Sequence, residues 1–229
     1  MKKISKNKKS APKRVKSAAP TPAEVVSFFK TFSDLNPEPK GELEYVNIYT
    51  LLVAVVLSAQ ATDKGVNKAT GPLFKKVTTP QQMVALGEDR LREAIKTIGL
   101  YRTKAANVIA LSHQLIQKYA GNVPQNRDAL ESLPGVGRKT ANVVLNIGFG
   151  EPTLAVDTHV FRVGNRTGLA PGKTPARVEE AFLRIIPPAY ARHAHHWLIL
   201  HGRYVCTARA PKCGQCPVRH LCRWPEKTA

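Results

Sequence analysis

The sequence lacks any apolar stretch long enough to cross a bilayer. Its longest uninterrupted apolar run covers only residues 51–57, whereas a transmembrane helix needs about 20 such residues. No basic segment leads into an apolar one near the start of the chain, so a secretory signal is not predicted. We therefore expect a cytoplasmic protein that does not enter a membrane.

Acidic residues are scarce as well. The chain has 35 Lys and Arg against 16 Asp and Glu, which gives a net charge of +19. Such an excess contributes little to folding but favours binding to polyanions, with nucleic acid as the first candidate and an anionic membrane surface as the second.

Part of this charge lies at the start of the chain. Residues 1–20 contain eight Lys or Arg and no acidic residue, which predicts a disordered basic tail. Such a tail can hold a protein near DNA by releasing counterions. A solubilising appendage and a mitochondrial transit peptide are the alternatives, although the tail is rich in Lys rather than Arg.

Cysteines are few and confined to one block. The chain has four of them: Cys206, Cys213, Cys216 and Cys222. Four thiolates in so short a loop can bind one metal centre, either a tetrahedral zinc ion or a [4Fe-4S] cluster, and the spacing alone does not choose. Two disulfides would need an oxidising compartment that nothing else here indicates. Basic residues that could offset the thiolate charge or face DNA phosphates surround these cysteines in the sequence: Arg203, Arg209, Lys212, Arg219 and Arg223.

Strand signals and internal repeats are also missing, and apolar periodicity predicts an all-α protein. Thr21 is the expected cap of the first helix, and Thr62 or Asp63 the cap of a later one. The other predicted helices cover residues 45–59, 80–86, 91–98, 104–119, 127–132, 139–147, a segment beginning near 157, 177–186 and 191–204.

A glycine-containing hairpin separates two of these helices. In the stretch 133–139, Gly135 and Gly137 follow a proline, so the backbone can turn sharply and bring its N–H groups close to a ligand. The next helix starts with a positive dipole end. The hairpin therefore predicts a phosphate cradle, with a plain corner between two helices as the alternative.

These features together resemble the endonuclease III family of helix-hairpin-helix DNA glycosylases. The resemblance rests on the hairpin with Lys139, the Val-Asp-Thr-His stretch 156–159, the cysteine spacing, and the segments 58–63 and 98–101. It implies two helical lobes with a DNA groove between them. One lobe would cover residues 41–151, with the helix-hairpin-helix motif at about 127–148. The other would combine 21–40 with 152–229 and carry a [4Fe-4S] loop at 206–222.

The resemblance also implies an activity. A member of this family would remove oxidised pyrimidines from duplex DNA and then nick the strand at the abasic site by β-elimination. We expect a monomer associated with the nucleoid. One alternative is an adenine-removing glycosylase of the same fold, although that relative lacks the lysine and has an additional C-terminal domain. The other alternative is a non-catalytic DNA-binding module with a structural metal site.

Residue roles follow from the same resemblance. Lys139 would be the nucleophile, which requires a neutral amine although a free lysine has a pKa near 10.4; a phosphate-binding lysine is the alternative. Asp157 would stabilise the cationic sugar, or it could merely cap a helix. Gln60 and Leu100 would enter the base stack where a nucleotide is flipped out, although Leu100 could also be a core residue. Further DNA contacts are expected in the hairpin: Gly135, Val136, Gly137 and Arg138.

Overall fold

The computed structural model describes residues 19–228, which form eleven α-helices and two short 3-10 turns without a β-strand. The predicted all-α class is therefore confirmed. Of the predicted basic tail, residues 1–18 lie outside the described part. Among the described helices, none is both long enough and apolar enough to span a bilayer. The helices are α1 (Pro22–Leu35), α2 (Ile48–Ser58), α3 (Asp63–Phe74), α4 (Pro80–Leu86), α5 (Glu88–Ala94), α6 (Tyr101–Tyr119), α7 (Arg127–Glu131), α8 (Arg138–Phe149), α9 (Thr158–Thr167), α10 (Pro175–Ile185) and α11 (Pro188–Tyr204).

A first hydrophobic core gathers α2 to α8. Its central helix is α2, in which every residue from Tyr49 to Leu57 is buried. The helix starts at Ile48 because the Asn47 side chain accepts the N–H of Thr50 and the Thr50 hydroxyl in turn accepts the N–H of Asn47. This reciprocal cap ends the preceding extended segment.

A second core joins α1 to α9, α10 and α11. Helix α1 begins where predicted, with Thr21 and Glu24 forming a capping box, and it buries an apolar stripe that includes Phe28 and Phe29. The chain therefore begins in the second core with α1, forms the first core with α2 to α8, and returns to the second core through residues 150–157. We propose that the two cores correspond to the two lobes expected from the sequence, with boundaries near residues 41 and 151.

Three helices, α5, α6 and α11, begin three residues earlier than predicted, whereas α2 begins three residues later, at Ile48 instead of 45. Helix α5 covers Glu88–Ala94 instead of 91–98, because Gly87 turns the chain with a φ of 83° and two acidic residues then favour the positive helix start. Helix α11 begins at Pro188 rather than at 191. A proline ends a preceding helix but is also well suited to the first turn of the next one, and here Pro188 does the latter.

Candidate active site

The predicted hairpin lies between α7 and α8. Gly135 has a φ of 77°, and a Cβ added to it would lie 2.9 Å from Nδ2 of Asn107. A larger residue would therefore be strained and would also collide with α6. The turn closes through a hydrogen bond from the N–H of Val136 to the carbonyl of Leu133, at 3.1 Å.

The start of α8 is open to an external ligand. Gly137 precedes the helix without a side-chain cap, and no atom among the described residues would lie within 4 Å of a Cβ added to it. The start of α8 is thus uncapped and has open space beside Gly137, as an anion site requires. Val136 differs from the other predicted DNA contacts because its side chain is buried and its N–H is used within the turn, which argues against a direct phosphate contact.

One face of α8 holds the segment that leads to Asp157. Asn146 donates through Nδ2 to the carbonyls of Glu151 and Thr153, at 2.9 and 3.1 Å. One turn earlier, Asn142 donates to the carbonyl of Leu154 at 3.1 Å. The segment therefore runs back along α8 toward its first turn.

This register brings Asp157 to the start of α8. Lys139 lies three residues before Asn142, so it shares the same helix face. Lys139 is exposed and Asp157 is half-buried. Both side chains line one cavity of about 520 Å³. Lys139 and Asp157, which are 18 positions apart in the sequence, therefore line the same cavity.

Asp157 has a structural role that the sequence also suggested. Its Oδ1 accepts the N–H groups of His159 and Val160, each at 2.8 Å, and so caps α9. No described residue donates a hydrogen bond to Oδ2. One carboxylate oxygen therefore stabilises the helix, while the other remains available to a ligand.

The cavity lies between the two hydrophobic cores. Its wall combines the end of α2 with α8 on one side and α11 with the start of α9 on the other, and residues 39–43 complete it. Among its charged side chains, the cations outnumber the carboxylates: Lys40, Lys139, Arg192 and Arg203 against Glu42, Asp63 and Asp157. A ligand in this cavity would touch both cores at once.

Two buried histidines on α11 belong to the same wall. Burial, then the neighbouring His196 and Lys139, lower the pKa of His195 to about 3. Burial, then His193, lowers the pKa of His196 to about 4. Both imidazoles are therefore neutral at physiological pH and add no positive charge to the wall. His195 also bonds to the backbone of Ala155, on the segment that leads to Asp157.

Arg138 has an intramolecular partner that the sequence did not reveal. Its guanidinium donates to both oxygens of Glu179, from Nε at 3.1 Å and from Nη2 at 2.9 Å. The Glu179 side chain is 7% exposed and that of Arg138 is 53% exposed. Glu179 on α10 is thus a missed residue, and no local pattern could have identified it, because 41 positions separate the partners.

Gln60 and Leu100 lie on neighbouring surface turns. Both have left-handed backbones, with φ values of 54° and 60°, a conformation that costs L residues about 1–2 kcal/mol. A Cβ added to Gly99 would lie 3.8 Å from the carbonyl oxygen of Gln60. Leu100 is 61% exposed as a residue, which rules out the alternative that it is a core leucine.

The four cysteines surround one small pocket just after α11. They are half-buried and form no disulfide, and all four line a pocket that also includes His201, Arg166 and Trp224. Burial is the main reason that the pKa of the Cys216 thiol rises to about 11, and burial also raises that of Cys222. Uncompensated thiolates are unfavourable here, so a cationic centre is needed to hold them in that form.

Comparison with known proteins agrees with this geometry. Residues 53–188 match the HhH-GPD superfamily of base excision DNA repair proteins, and residues 206–222 match the iron-sulfur binding domain of endonuclease III. Endonuclease III of Treponema pallidum (strain Nichols) is 58% identical over 198 residues, which cover 86% of this chain and 94% of that protein. Endonuclease III of Escherichia coli (strain K12) is 55% identical over 192 residues, which cover 84% of this chain and 91% of that protein. The chain belongs to the endonuclease III family.

Solved structures extend the match to the fold of this family. A trapped endonuclease III–DNA covalent intermediate superposes with a TM-score of 0.82 at 46% identity, covering 89% of this chain and 96% of that one. A thermostable thymine-DNA glycosylase gives a TM-score of 0.78 at 27% identity, covering 90% and 98%. As an endonuclease III family member, this chain is a base excision repair enzyme, and the non-catalytic module is disfavoured.

Endonuclease III family membership also decides the metal centre, which is a [4Fe-4S] cluster. The cysteine pocket fits it, because all four cysteines line the same small pocket. Thiolates placed around a cavity suit the corners of a cluster better than the single point of a zinc ion. We propose the four cysteines as its ligands. When bound, the cluster ties the loop to the end of α11.

The basic residues nearest the cysteines in this endonuclease III relative differ in part from those predicted. Arg166 donates to Sγ of Cys206 at 3.8 Å and to the carbonyl of Thr207 at 2.6 Å, and Arg162 donates to the Cys206 carbonyl at 2.8 Å. Both lie on α9, one turn apart, and were missed. Two predicted neighbours have carboxylate partners elsewhere, since Arg203 pairs with Asp63 and Glu42 and Arg223 pairs with Glu24. The remaining three are exposed: Arg209, Lys212 and Arg219.

Proposed function

We propose that this chain removes oxidised pyrimidines from duplex DNA and cleaves the strand at the resulting abasic site, with Lys139 as nucleophile. The observation that carries the proposal is the cavity shared by Lys139 and Asp157. It contains an amine, a carboxylate with one free oxygen, and space for a flipped nucleotide. An endonuclease III has been trapped as a covalent intermediate with DNA, and this supports the same chemistry for the chain described here.

In the first step, the lone pair of the Lys139 Nζ attacks C1′ of the flipped nucleotide. The bond between C1′ and the base breaks, and the base leaves with the electron pair and takes up a proton. The free Oδ2 of Asp157 stabilises the positive charge that develops on the sugar and receives the proton that the attacking amine must lose. The nitrogen lone pair then forms a double bond to C1′ while the C1′–O4′ bond breaks, and O4′ takes up the proton held by Asp157. The ring is thereby opened, and C1′ is joined to Lys139 as a protonated Schiff base.

In the second step, a proton is removed from C2′ of the Schiff base. The electrons of that C–H bond form a C2′–C3′ double bond, and the bond from C3′ to the phosphate oxygen breaks with its electron pair. The strand is thereby cleaved on the 3′ side, and water hydrolyses the Schiff base to restore the amine.

DNA binding would use the two strained turns and the hairpin. Gln60 and Leu100 are exposed and adjacent, so they can fill the gap left by a flipped nucleotide. The uncapped start of α8 can bind a phosphate near the lesion. We propose that the enzyme acts as a monomer in the cytoplasm, at the nucleoid; sedimentation of the protein alone and with a duplex tests the oligomeric state.

Borohydride trapping tests the mechanism. Reduction of the Schiff base during turnover should join the protein covalently to a duplex that carries an oxidised pyrimidine, and peptide mapping should locate the bond at Lys139. Lys139→Gln removes the amine and should abolish trapping and strand cleavage while the duplex still binds. Lys40→Gln is the matched control, because Lys40 lines the same cavity and its loss should leave trapping intact.

The same experiment decides between the two roles weighed for Lys139. A phosphate-binding lysine predicts that Lys139→Gln loses affinity first and keeps normal chemistry in the bound complex. Trapping at the wild-type level in Lys139→Gln would refute the assignment. Duplexes with different damaged bases, scored separately for base release and strand cleavage, then define the substrate class.

A further inference from the structure

We propose that Glu179 is a positioning residue for Lys139 and acts through Arg138; the proposal rests on the function proposed above. Glu179 belongs to α10, in the second core, whereas Lys139 is in the first turn of α8, in the first core. A single buried carboxylate therefore connects α10 in the second core to α8 in the first. It does so one residue from the proposed nucleophile.

The bonds at Glu179 are directional. Arg138 donates to Oε2 and Oε1 at 3.1 and 2.9 Å, a bidentate pairing that fixes both the distance and the orientation of the guanidinium. Arg138 is the first residue of α8. Holding its side chain therefore limits the rotation of the first helical turn, which carries Lys139.

The same carboxylate also reaches the segment that ends at Asp157. Oε1 of Glu179 accepts a third hydrogen bond from Nδ2 of Asn142, at 3.2 Å. Asn142 in turn donates to the carbonyl of Leu154 at 3.1 Å, and its own carbonyl accepts the hydroxyl of Thr153 at 2.6 Å. Glu179 thus restrains both partners of the proposed catalytic pair.

Burial makes this arrangement specific. Glu179 is only 5% exposed as a residue, and a buried carboxylate is strongly unfavourable unless it is paired and hydrogen-bonded. Arg138 and Asn142 donate the hydrogen bonds that Glu179 accepts. Because moving α8 would break them together, the first turn of α8 has one preferred position.

This pairing changes the role expected for Arg138. The sequence suggested a DNA contact, but the two guanidinium nitrogens that face Glu179, Nε and Nη2, already donate to its carboxylate. An arginine that only bound phosphate would gain freedom if Glu179 lost its charge, and the protein would bind DNA more tightly. An arginine that positions Lys139 would instead lose its orientation, and the chemical step would slow.

The test compares Glu179→Gln with Glu180→Gln in the full-length, cluster-containing protein. Glutamine keeps the shape of Glu179 but turns its amide nitrogen toward one of the donors, so the bidentate pair is lost. Glu180 is the matched control, since it is the next residue, is half-exposed and, within residues 19–228, forms ion pairs with Arg177 and Arg184 on its own helix.

Two quantities are measured for each variant: the single-turnover rate of base release, and the dissociation constant for a duplex with an uncleavable abasic-site analogue. We expect Glu179→Gln to lower the rate by about 10- to 100-fold, the cost of misplacing a reacting group by roughly 1 Å. The dissociation constant should match that of Glu180→Gln. Borohydride trapping should fall in parallel with the rate.

Arg138→Lys provides a second route if Glu179→Gln is poorly folded. It keeps the positive charge but lacks the planar fork, and position 138 is half-exposed, so folding should be preserved. As a positioning residue, Arg138→Lys should lose rate without losing affinity. The double variant should be no slower than the slower single one, because residues that act through one contact are not additive.

Several results would overturn the proposal. A wild-type rate in Glu179→Gln or in Arg138→Lys would do so, as would additive effects in the double variant or a loss confined to affinity. Failure of the proposed function is separable from these, because it would show as a wild-type protein that neither releases a base nor forms the trapped complex.

Discussion

Asp157 caps α9 and has a proposed chemical role, and two substitutions at this one position can separate the two. Its Oδ1 caps α9 through the N–H groups of His159 and Val160, whereas no described residue donates to its Oδ2. Asp157→Asn keeps the capping oxygen and removes only the negative charge. Asp157→Ala removes both the cap and the charge. Comparing the two variants therefore isolates the chemical role from the structural one.

The expected magnitudes differ clearly. Loss of an N-cap costs about 1 kcal/mol, in a range of roughly 0.5–2, and asparagine caps as well as aspartate. In a protein of this size, 1 kcal/mol lowers the melting temperature by about 2–4 °C. We expect this decrease in Asp157→Ala and no decrease in Asp157→Asn. Both should release base about 10²–10⁴-fold more slowly, as when a positioned acid–base group is lost.

Calorimetry and single-turnover base release provide the assays. The control is Thr79→Ala, because Thr79 caps α4 in the first core by accepting the N–H of Gln82 at 3.2 Å. It should melt earlier, as Asp157→Ala does, while releasing base at the wild-type rate. Asp157→Asn should also bind damaged DNA at least as tightly, since a negative charge near phosphates is gone. A wild-type rate in Asp157→Asn would refute the chemical role, and equal melting of the Asn and Ala variants would refute the separation.

Four further predictions concern the rest of the molecule. Cys213→Ser should lose the visible absorbance of the cluster and fold poorly; a colourless, zinc-containing and active wild-type preparation would contradict the cluster. The pKa of His195 is about 6.5 in the unfolded chain but about 3 in the folded protein, so the free energy of unfolding should fall as the pH drops below about 6.5. In His195→Gln the free energy of unfolding should depend less steeply on pH. In Gly202→Ala the new Cβ would lie 2.8 Å from Cβ of His159. This clash should lower the free energy of unfolding by about 1–3 kcal/mol and slow base release by displacing α9. Calorimetry and single-turnover kinetics can check both effects. Deleting residues 1–20 should reduce the salt dependence of DNA binding without affecting base release, and an unchanged slope would exclude a DNA contact by the tail.

Local sequence signals were sufficient for much of this fold. Thr21 caps α1 through a capping box, and Asp157 caps α9. The Gly135 turn and the cysteine block are also local, because each depends on residues only a few positions apart. Periodicity located the helices because it reports neighbours at i+3 and i+4. It was less accurate at several helix starts, among them that of α5, where the turn at Gly87 and two acidic residues place the start three positions earlier.

Long-range pairs could not be predicted in this way. Arg138 and Glu179 are 41 residues apart, and Arg166 is 40 residues from Cys206. Nothing in either local pattern distinguishes these arginines from the many solvated ones in a chain of net charge +19. Their partners depend on how α8, α9 and α10 pack, and periodicity does not report the order in which helices pack together.

The packing of α8 explains how both proposed catalytic side chains can remain free. Its inner face carries Asn142 and Asn146, whose amides bind the carbonyls of the segment 151–154. Buried amides are unfavourable unless they are hydrogen-bonded, and Oδ1 of Asn142 has no partner among the described residues. The amide nitrogens of both residues are bonded to backbone carbonyls, and these bonds fix the position of the segment that leads to Asp157 along α8. Because no contact between Lys139 and Asp157 is needed to bring them together, both can turn toward a substrate in the cavity.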